Sequence, residues 1–398
     1  MTLRMTRIAA PDTAAPETTL PNRLPLITPA TDSIAIGPSA DGSLTAPAPK
    51  RGPHRRTRVT VVFIVLAIAL VALILVAAGL GQLPIPALEV IGSVLRAIGI
   101  ETGVPVTHPN GEAALWQVRF PRIALAILVG CALAVAGVIM QGIFGNPLAE
   151  PGTVGVSAGA AVGACATIVF GWTMLGNWTI AGMAFLGGLA ATLVAYTTAR
   201  SGGRTEVVTL VLTGVAVSAV SGALTAYLVF AGDTSSREEI VFWQLGSLNG
   251  TRWSHIAIVV TPVVIGVAYA IVIARRLDLL GLGERAARHL GVDVETLRLQ
   301  SILVVALLTG AAVAFCGIIG FVGLVVPHLL RMILGPGHRV LVPASALGGG
   351  VLLLGADLAA RTLVPYADLP IGMLTAGIGG PFFFWLLRRT RRGAGGWS

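Results

Sequence analysis

Ten apolar runs follow one another along the chain, most of them near the twenty residues that a bilayer-spanning helix needs. They are Val59–Leu80, Pro121–Phe144, Val154–Gly171, Thr179–Thr198, Val207–Phe230, Ile256–Ala274, Leu299–Phe315, Phe321–Leu334, Val342–Ala359 and Ile371–Leu387. The pattern predicts an all-α membrane protein with about ten transmembrane helices. Between the first two runs, Leu88, Ile91, Leu95 and Ile98 share one helical face, with Glu89 and Arg96 off it. Pro86–Ile98 therefore reads as a helix lying on the outer membrane interface. Met1 to Arg58 is rich in Thr, Pro and Ala and lacks hydrophobic periodicity, as expected of a disordered cytoplasmic leader. A signal peptide is the rival, but the first apolar run is longer than a signal core. The domain reading is a leader over 1–58, a ten-helix transmembrane domain over 59–391 and a cytoplasmic tail over 392–398.

Composition agrees with the pattern. Of 398 residues, 55% are hydrophobic and 11% charged, and mean hydropathy is +0.85, which excludes an ordinary soluble domain. The three cysteines, Cys131, Cys165 and Cys316, fall in apolar runs and build no disulfide or zinc framework. Of the 27 basic residues Lys50 is the one lysine, and no glycine run precedes it. A phosphate-binding P-loop needs such a lysine, so the chain is not its own nucleotide motor.

Charge also assigns sides. With the N-terminus inside, 21 of the 27 basic residues fall in inside segments, leaving Arg96, Arg119, Arg122, Arg237, Arg252 and Arg361 outside. Ten spans with both termini cytoplasmic fit this distribution. An internal repeat shows at an offset of 180 residues: Leu128, Gly130, Ala132, Ala134, Gly137, Ile139 and Pro147 match Leu308, Gly310, Ala312, Ala314, Gly317, Ile319 and Pro327. The matched segments are the second and seventh spans and run in opposite directions, the inverted repeat of a transporter.

Span centres are nearly free of the acidic and histidine relays that ion-coupled carriers keep there. Asp357 lies near a span end, and His328 reads as satisfying backbone broken by Pro327 rather than as a metal ligand. Driving energy must come from elsewhere, and a separate ATPase subunit is the economical source.

The densest motif runs Arg119-Phe120-Pro121-Arg122, Gly130, Gly137, Gln141, Asn146-Pro147-Leu148-Ala149-Glu150-Pro151-Gly152 and Gly155-Val156-Ser157-Ala158-Gly159-Ala160. Its prolines and glycine bracket a carboxylate in a rigid re-entrant turn. With Gly320-Phe321-Val322-Gly323 through Arg331, and Ala356-Asp357-Leu358-Ala359-Ala360-Arg361 followed by Leu369-Pro370-Ile371-Gly372, the chain resembles the FecCD family of ABC-importer permeases from roughly Thr57 to Arg391. The long leader lies outside the resemblance. Members carry vitamin B12, haem and ferric siderophores.

The resemblance implies a type II importer permease in the bacterial cell membrane: a homodimer with the path at its axis, two ATP-binding cassette subunits below and an extracytoplasmic binding protein above. It implies that Arg119, Arg122 and Arg361 meet acidic residues of the binding protein. The alternatives are snorkelling for Arg119 and Arg122, and an internal pair with Asp357 for Arg361. It places ATPase coupling at Leu282, Gly283, Glu284, Arg285, Arg288, His289, Leu290 and Gly291. There Ala286, Ala287 and Leu290 form an apolar stripe opposite charges, where a bland solvated loop would need none. It sets the gate near Asn146, Pro147 and Leu148. Thr213, Ser221 and Thr225 share a face of the fifth span and either line the path or serve as helix-packing material. No cofactor or metal is expected on this chain, and ATP is used by the partner subunit.

The segment Phe242-Trp243-Gln244-Leu245-Gly246-Ser247-Leu248 looks more like haem permeases than vitamin B12 ones. An iron chelate, haem first or a ferric siderophore, is thus the expected cargo, with vitamin B12 the alternative. His108, His255 and His289 are not taken as haem ligands. The rival classes are an ion-coupled secondary carrier and a membrane sensor. No nucleophile–base pair or metal cluster supports an enzyme, and no basic patch supports nucleic-acid binding.

Overall fold

The computed structural model describes residues 53–101, 103–105, 107–364 and 367–393. The expected leader lies outside the described residues up to position 52, and its last six positions already belong to the first helix. Of the expected tail, 394–398 lie outside as well.

The chain folds into a helical bundle. Its helices are α1 (Pro53–Gly79), α2 (Ala87–Ala97), α3 (Gly111–Phe144), α4 (Val156–Phe170), α5 (Thr179–Ala199), α6 (Val207–Ala231) and α7 (Thr234–Leu245). There follow α8 (Trp253–Leu280), α9 (Glu284–His289), α10 (Val294–Cys316), α11 (Val322–Leu334), α12 (His338–Thr362) and α13 (Ile371–Gly393). Among the described residues the strands are Arg200–Ser201 and Arg204–Thr205, paired antiparallel as a small hairpin.

Every expected apolar run falls in a helix. Seven are long and apolar enough to cross a membrane, namely α1, α3, α5, α6, α8, α10 and α12. The shorter apolar helices are α4, α11 and the stretch Ile371–Trp385 of α13. Apolarity alone does not rank them by depth, because in a bilayer an all-apolar helix can face lipid as readily as protein. The apolar window of α3 is 78% buried and forms the axis of the bundle, whereas that of α1 is 11% buried and turns Val61, Val65 and Ile68 outward.

Glycine lets the central backbones touch. A Cβ on Gly130 of α3 would lie 2.1 Å from the Gly349 carbonyl oxygen of α12, and one on Gly137 would lie 1.9 Å from that of Gly323 in α11. Only a hydrogen fits at either contact, the small-residue packing that membrane helices use in place of hydrophobic exclusion.

The second and seventh of the expected apolar runs form α3 and α10. The residue-by-residue offset of 180 does not survive. Gly317 ends α10 at φ 67° while Gly137 sits inside α3; Pro327 lies within α11 while Pro147 lies in the turn after α3. Both halves use small residues for close packing, so the letters match in a register that the helices do not share.

Two refinements concern the outer side. Helix α3 begins at Gly111, before the expected Pro121, because a π-helical stretch over Ala114–Arg119 carries the chain into the proline, which has no N–H to give. The indole of Trp116 donates to Ser93 Oγ (3.0 Å), and Arg96 pairs with Glu112, tying this extension to α2. Helix α2 forms as expected, with Glu89 and Ser93 buried inward and Leu88, Ile91 and Ile98 outward.

Candidate functional site

The functional residues expected from the sequence gather at three levels. At the end expected to face outward, α1 stops at Gly79 with backbone carbonyls that no further turn can satisfy. Arg119 donates to the carbonyls of Ala78, Gly79 and Leu83, and Arg361 donates to that of Ala77 (2.8 Å). Two cations thus close the negative end of the α1 dipole. Beside them Arg122 Nε donates to Asp357 Oδ1 (2.8 Å) and its Nη1 to Asp368 Oδ2 (2.7 Å), while Arg361 Nε lies 3.4 Å from Asp357 Oδ2.

Arg119 is 6% exposed, Arg122 8% and Asp357 0%. Arg119 and Arg122, so buried and with donors engaged inside the chain, together with Arg361, tie α1, α3 and α12 to one another. The internal Arg361–Asp357 pair weighed from the sequence is present. The knot's more open member is Asp368, its side chain 37% exposed. Sequence reasoning passed over it, although it directly precedes the Leu369-Pro370 motif.

At the middle level the turn after α3 folds back into the bundle. Asn146 Oδ1 accepts from Leu148 N (2.9 Å), an Asx turn that starts the reversal, and Gly145 and Gly155 take positive φ of 59° and 83° at its two ends. The turn's carboxylate, Glu150, accepts from the backbone N–H of Phe321 (2.9 Å). Phe321 precedes α11 and, at φ 67°, is the described non-glycine residue with positive φ. A side chain from the first half therefore caps a helix of the second. His328 of α11 keeps its Nδ1 buried with no hydrogen-bond partner.

Thr213, Ser221 and Thr225 do not present an open polar stripe. Ser221 and Thr225 are 7% and 8% exposed on the face of α6 that packs toward α4 and α5, and Thr213 Oγ1 donates to Thr209 O (2.7 Å). Thr213 and Ser221 line a cavity of about 610 Å³ within the subunit, with Gly159, Gly163 and Gly187. The face of α6 left open is apolar, with Val208, Leu212, Val215, Val220 and Tyr227 each at least 60% exposed.

At the inner level the coupling segment forms a short helix, as expected, between Gly283 at φ 103° and Gly291 at φ 83°. Its apolar stripe is split: Ala287 is fully buried and anchors the helix, whereas Leu282 (66%) and Leu290 (58%) are exposed at its ends. Arg285, Arg288 and His289 are exposed beside them. The next helix is capped by Asp293, which accepts from Thr296 Oγ1 (2.6 Å) and Thr296 N (3.1 Å), bonds that hold its carboxyl below the ordinary aspartate value. Pro147 of the turn and Leu282 of the coupling segment line one cavity of about 490 Å³, with Gln141, Asp278, Arg331 and His338. In its wall His338 Nδ1 lies 2.7 Å from Asp278 Oδ1, and Arg331 donates to Gln141 Oε1 (3.0 Å). Of the expected gate and coupling residues, Pro147 and Leu282 share this cavity.

Of the histidines set aside as haem ligands, His255 packs against Trp178 and Phe315, with ring centroids 5.3 Å from each.

Comparison with known proteins adds identity to this geometry. The model of the FecCD transport family matches residues 64–389. The chain is 43% identical over 285 residues to the hemin transport system permease of Yersinia pestis, covering 70% of this chain and 85% of that one. It is 42% identical over 311 residues to the cobalamin import system permease of Halobacterium salinarum, covering 77% and 80%. With the vitamin B12 import system permease of Escherichia coli O9:H4 the identity is 39% over 286 residues, covering 71% and 86%. Among solved structures, a metal-chelate type ABC transporter in an inward-facing conformation superposes with a TM-score of 0.71 at 32% identity, covering 83% of this chain and 99% of that one.

Proposed function

The chain belongs to the FecCD transport family, and from that premise we propose that it carries an iron chelate, haem first, through the membrane as half of a homodimer. It is the permease subunit of an ABC importer, a multi-pass membrane protein that works with a binding protein and with separate ATPase subunits, where ATP is hydrolysed. In our reading both termini lie in the cytoplasm of a bacterial cell. ATP is then the only cofactor of the assembly, and it is held by the partner.

The observation that carries the mechanism is the shared inner cavity. Leu282 and Leu290 stand exposed around a helix anchored by Ala287, and Leu282 meets Pro147 of the re-entrant turn across that cavity. An ATPase that grips the leucines pulls on the cavity wall that carries the turn. The turn in turn holds α11 through Glu150 and Phe321. Movement at the inner surface is thereby passed to the contact between the two halves, where access is switched.

The cargo slides along the apolar open face of α6, which offers contact without strong binding. Phe242, 66% exposed on α7, adds an aromatic ring at the outer mouth suited to a flat apolar macrocycle. The second reading, vitamin B12 import by the same mechanism, draws on the cobalamin and vitamin B12 permeases, whose identity to this chain is close to that of the hemin permease. Uptake of hemin and of cobalamin into vesicles holding the complete importer separates them. Hemin uptake that requires ATP inside supports the first reading, and ATP-dependent uptake of cobalamin alone replaces it with the second.

A further inference from the structure

One buried charge at the inner surface is outside the machinery described so far. Arg298, in the first turns of α10, is 4% exposed, yet it joins two other elements to its own. Its Nη2 donates to Glu284 Oε1 at the start of the coupling helix, its Nη1 donates to the Thr205 carbonyl (3.0 Å), and Nη1 lies 3.8 Å from Glu295 Oε1. Glu295 in turn accepts from the Thr205 backbone N–H (2.8 Å). Both polar backbone groups of Thr205 are therefore held by the α10 pair, and Thr205 is itself 2% exposed. Arg288 closes the cluster from the coupling helix, 3.4 Å from Glu295.

Thr205 ends the hairpin that joins the fourth and fifth spans, and α6 begins two residues later at Val207. Two inner loops far apart in sequence are thus clamped on one guanidinium. A planar five-donor group suits this task, because it can hold a carboxylate and a carbonyl at once in fixed directions. Burying a charge is costly, and losing one partner of a buried pair is costlier than never having made it. A loop that needed only solubility would not keep such a group.

We propose that Arg298 is a positioning residue that fastens the coupling helix to the hairpin at the root of α6, so that motion imposed by the ATPase reaches the cargo-facing helix directly. The inference rests on the reading of Leu282–Gly291 as the ATPase contact. Glu284 supplies the moving end, Thr205 the driven end, and Arg298 with Glu295 the link.

The test uses the whole importer, purified with its ATPase and reconstituted into vesicles, comparing the native chain with Arg298→Met and Arg298→Lys. Two quantities are read: hemin moved per ATP hydrolysed, and amide hydrogen exchange of residues 200–206 and 284–290 with and without ATP. In the native importer, nucleotide changes exchange in both segments together. In Arg298→Met, hydrolysis continues, hemin moved per ATP falls about 5-fold or more, within the usual range of coupling between sites, and the hairpin stops responding while the coupling helix still does. Arg298→Lys, which keeps the charge but reaches one partner at a time, falls between the two. A Met or Lys variant with the native ratio and a responding hairpin overturns the proposal, as does a native importer in which the hairpin never responds. A chain that purifies with no ATPase overturns the underlying reading instead.

Discussion

Asp357 is the residue on which the outer level turns. It is fully buried between Arg122 and Arg361, so removing its carboxylate leaves two guanidinium groups short of a partner in a low-dielectric interior. Asp357→Ala should destabilise the folded protein by about 3–5 kcal/mol, the usual cost of breaking a buried pair. Unfolding in detergent measures this, and a variant with native stability that loses only its binding protein would point to a docking role for these arginines. Sequence reasoning grouped Arg119, Arg122 and Arg361 correctly as neighbours at one end of the bundle. Their internal partners were less legible, because spacing along a helix tells which residues share a face and not what that face packs against. The carbonyls of Ala77 to Leu83, which draw two of the arginines inward, carry no signature in side-chain letters.

At the scale of elements, the turn from Asn146 to Gly155 and the coupling segment make separate predictions. Glu150→Ala removes the acceptor for Phe321 N–H, and loss of such a cap costs about 0.5–2 kcal/mol, whereas Glu150→Gln keeps a carbonyl oxygen in reach and should cost less. Chemical unfolding of the two variants side by side reads the difference; equal losses would mean that the capping bond is not what Glu150 contributes. For the coupling segment, Leu282→Asp with Leu290→Asp should abolish ATPase association while leaving the fold intact, since both side chains are exposed and Ala287 carries the anchor. Retention of the ATPase by that variant in affinity purification would place the docking surface elsewhere. Hydropathy marked the seven helices long and apolar enough to cross a membrane, and three shorter apolar ones with them, because long apolar runs have few other uses. The short hairpin at Arg200–Thr205 was missed because its strands are two residues each and its polar letters match any inside loop. The threonine and serine stripe of α6 was legible as a stripe. Its direction was not, since small hydroxyl residues suit a packed face as well as an aqueous one.

For the whole molecule, two buried clusters and one re-entrant turn connect the arginine end of the bundle, the open apolar face of α6 and the end that exposes Leu282 and Leu290. This arrangement makes sense only if a partner supplies force at the inner end, which is the central claim: the chain is the membrane-spanning part of an importer driven by another subunit's ATP hydrolysis. Its most direct test is to purify the tagged chain in mild detergent from its native membrane, identify what accompanies it and assay ATP hydrolysis with and without a hemin-loaded binding protein. The account predicts an ATPase in equal amount to the chain and hydrolysis that rises when the loaded binding protein is added. A chain that purifies alone and moves substrate on an ion gradient would contradict it.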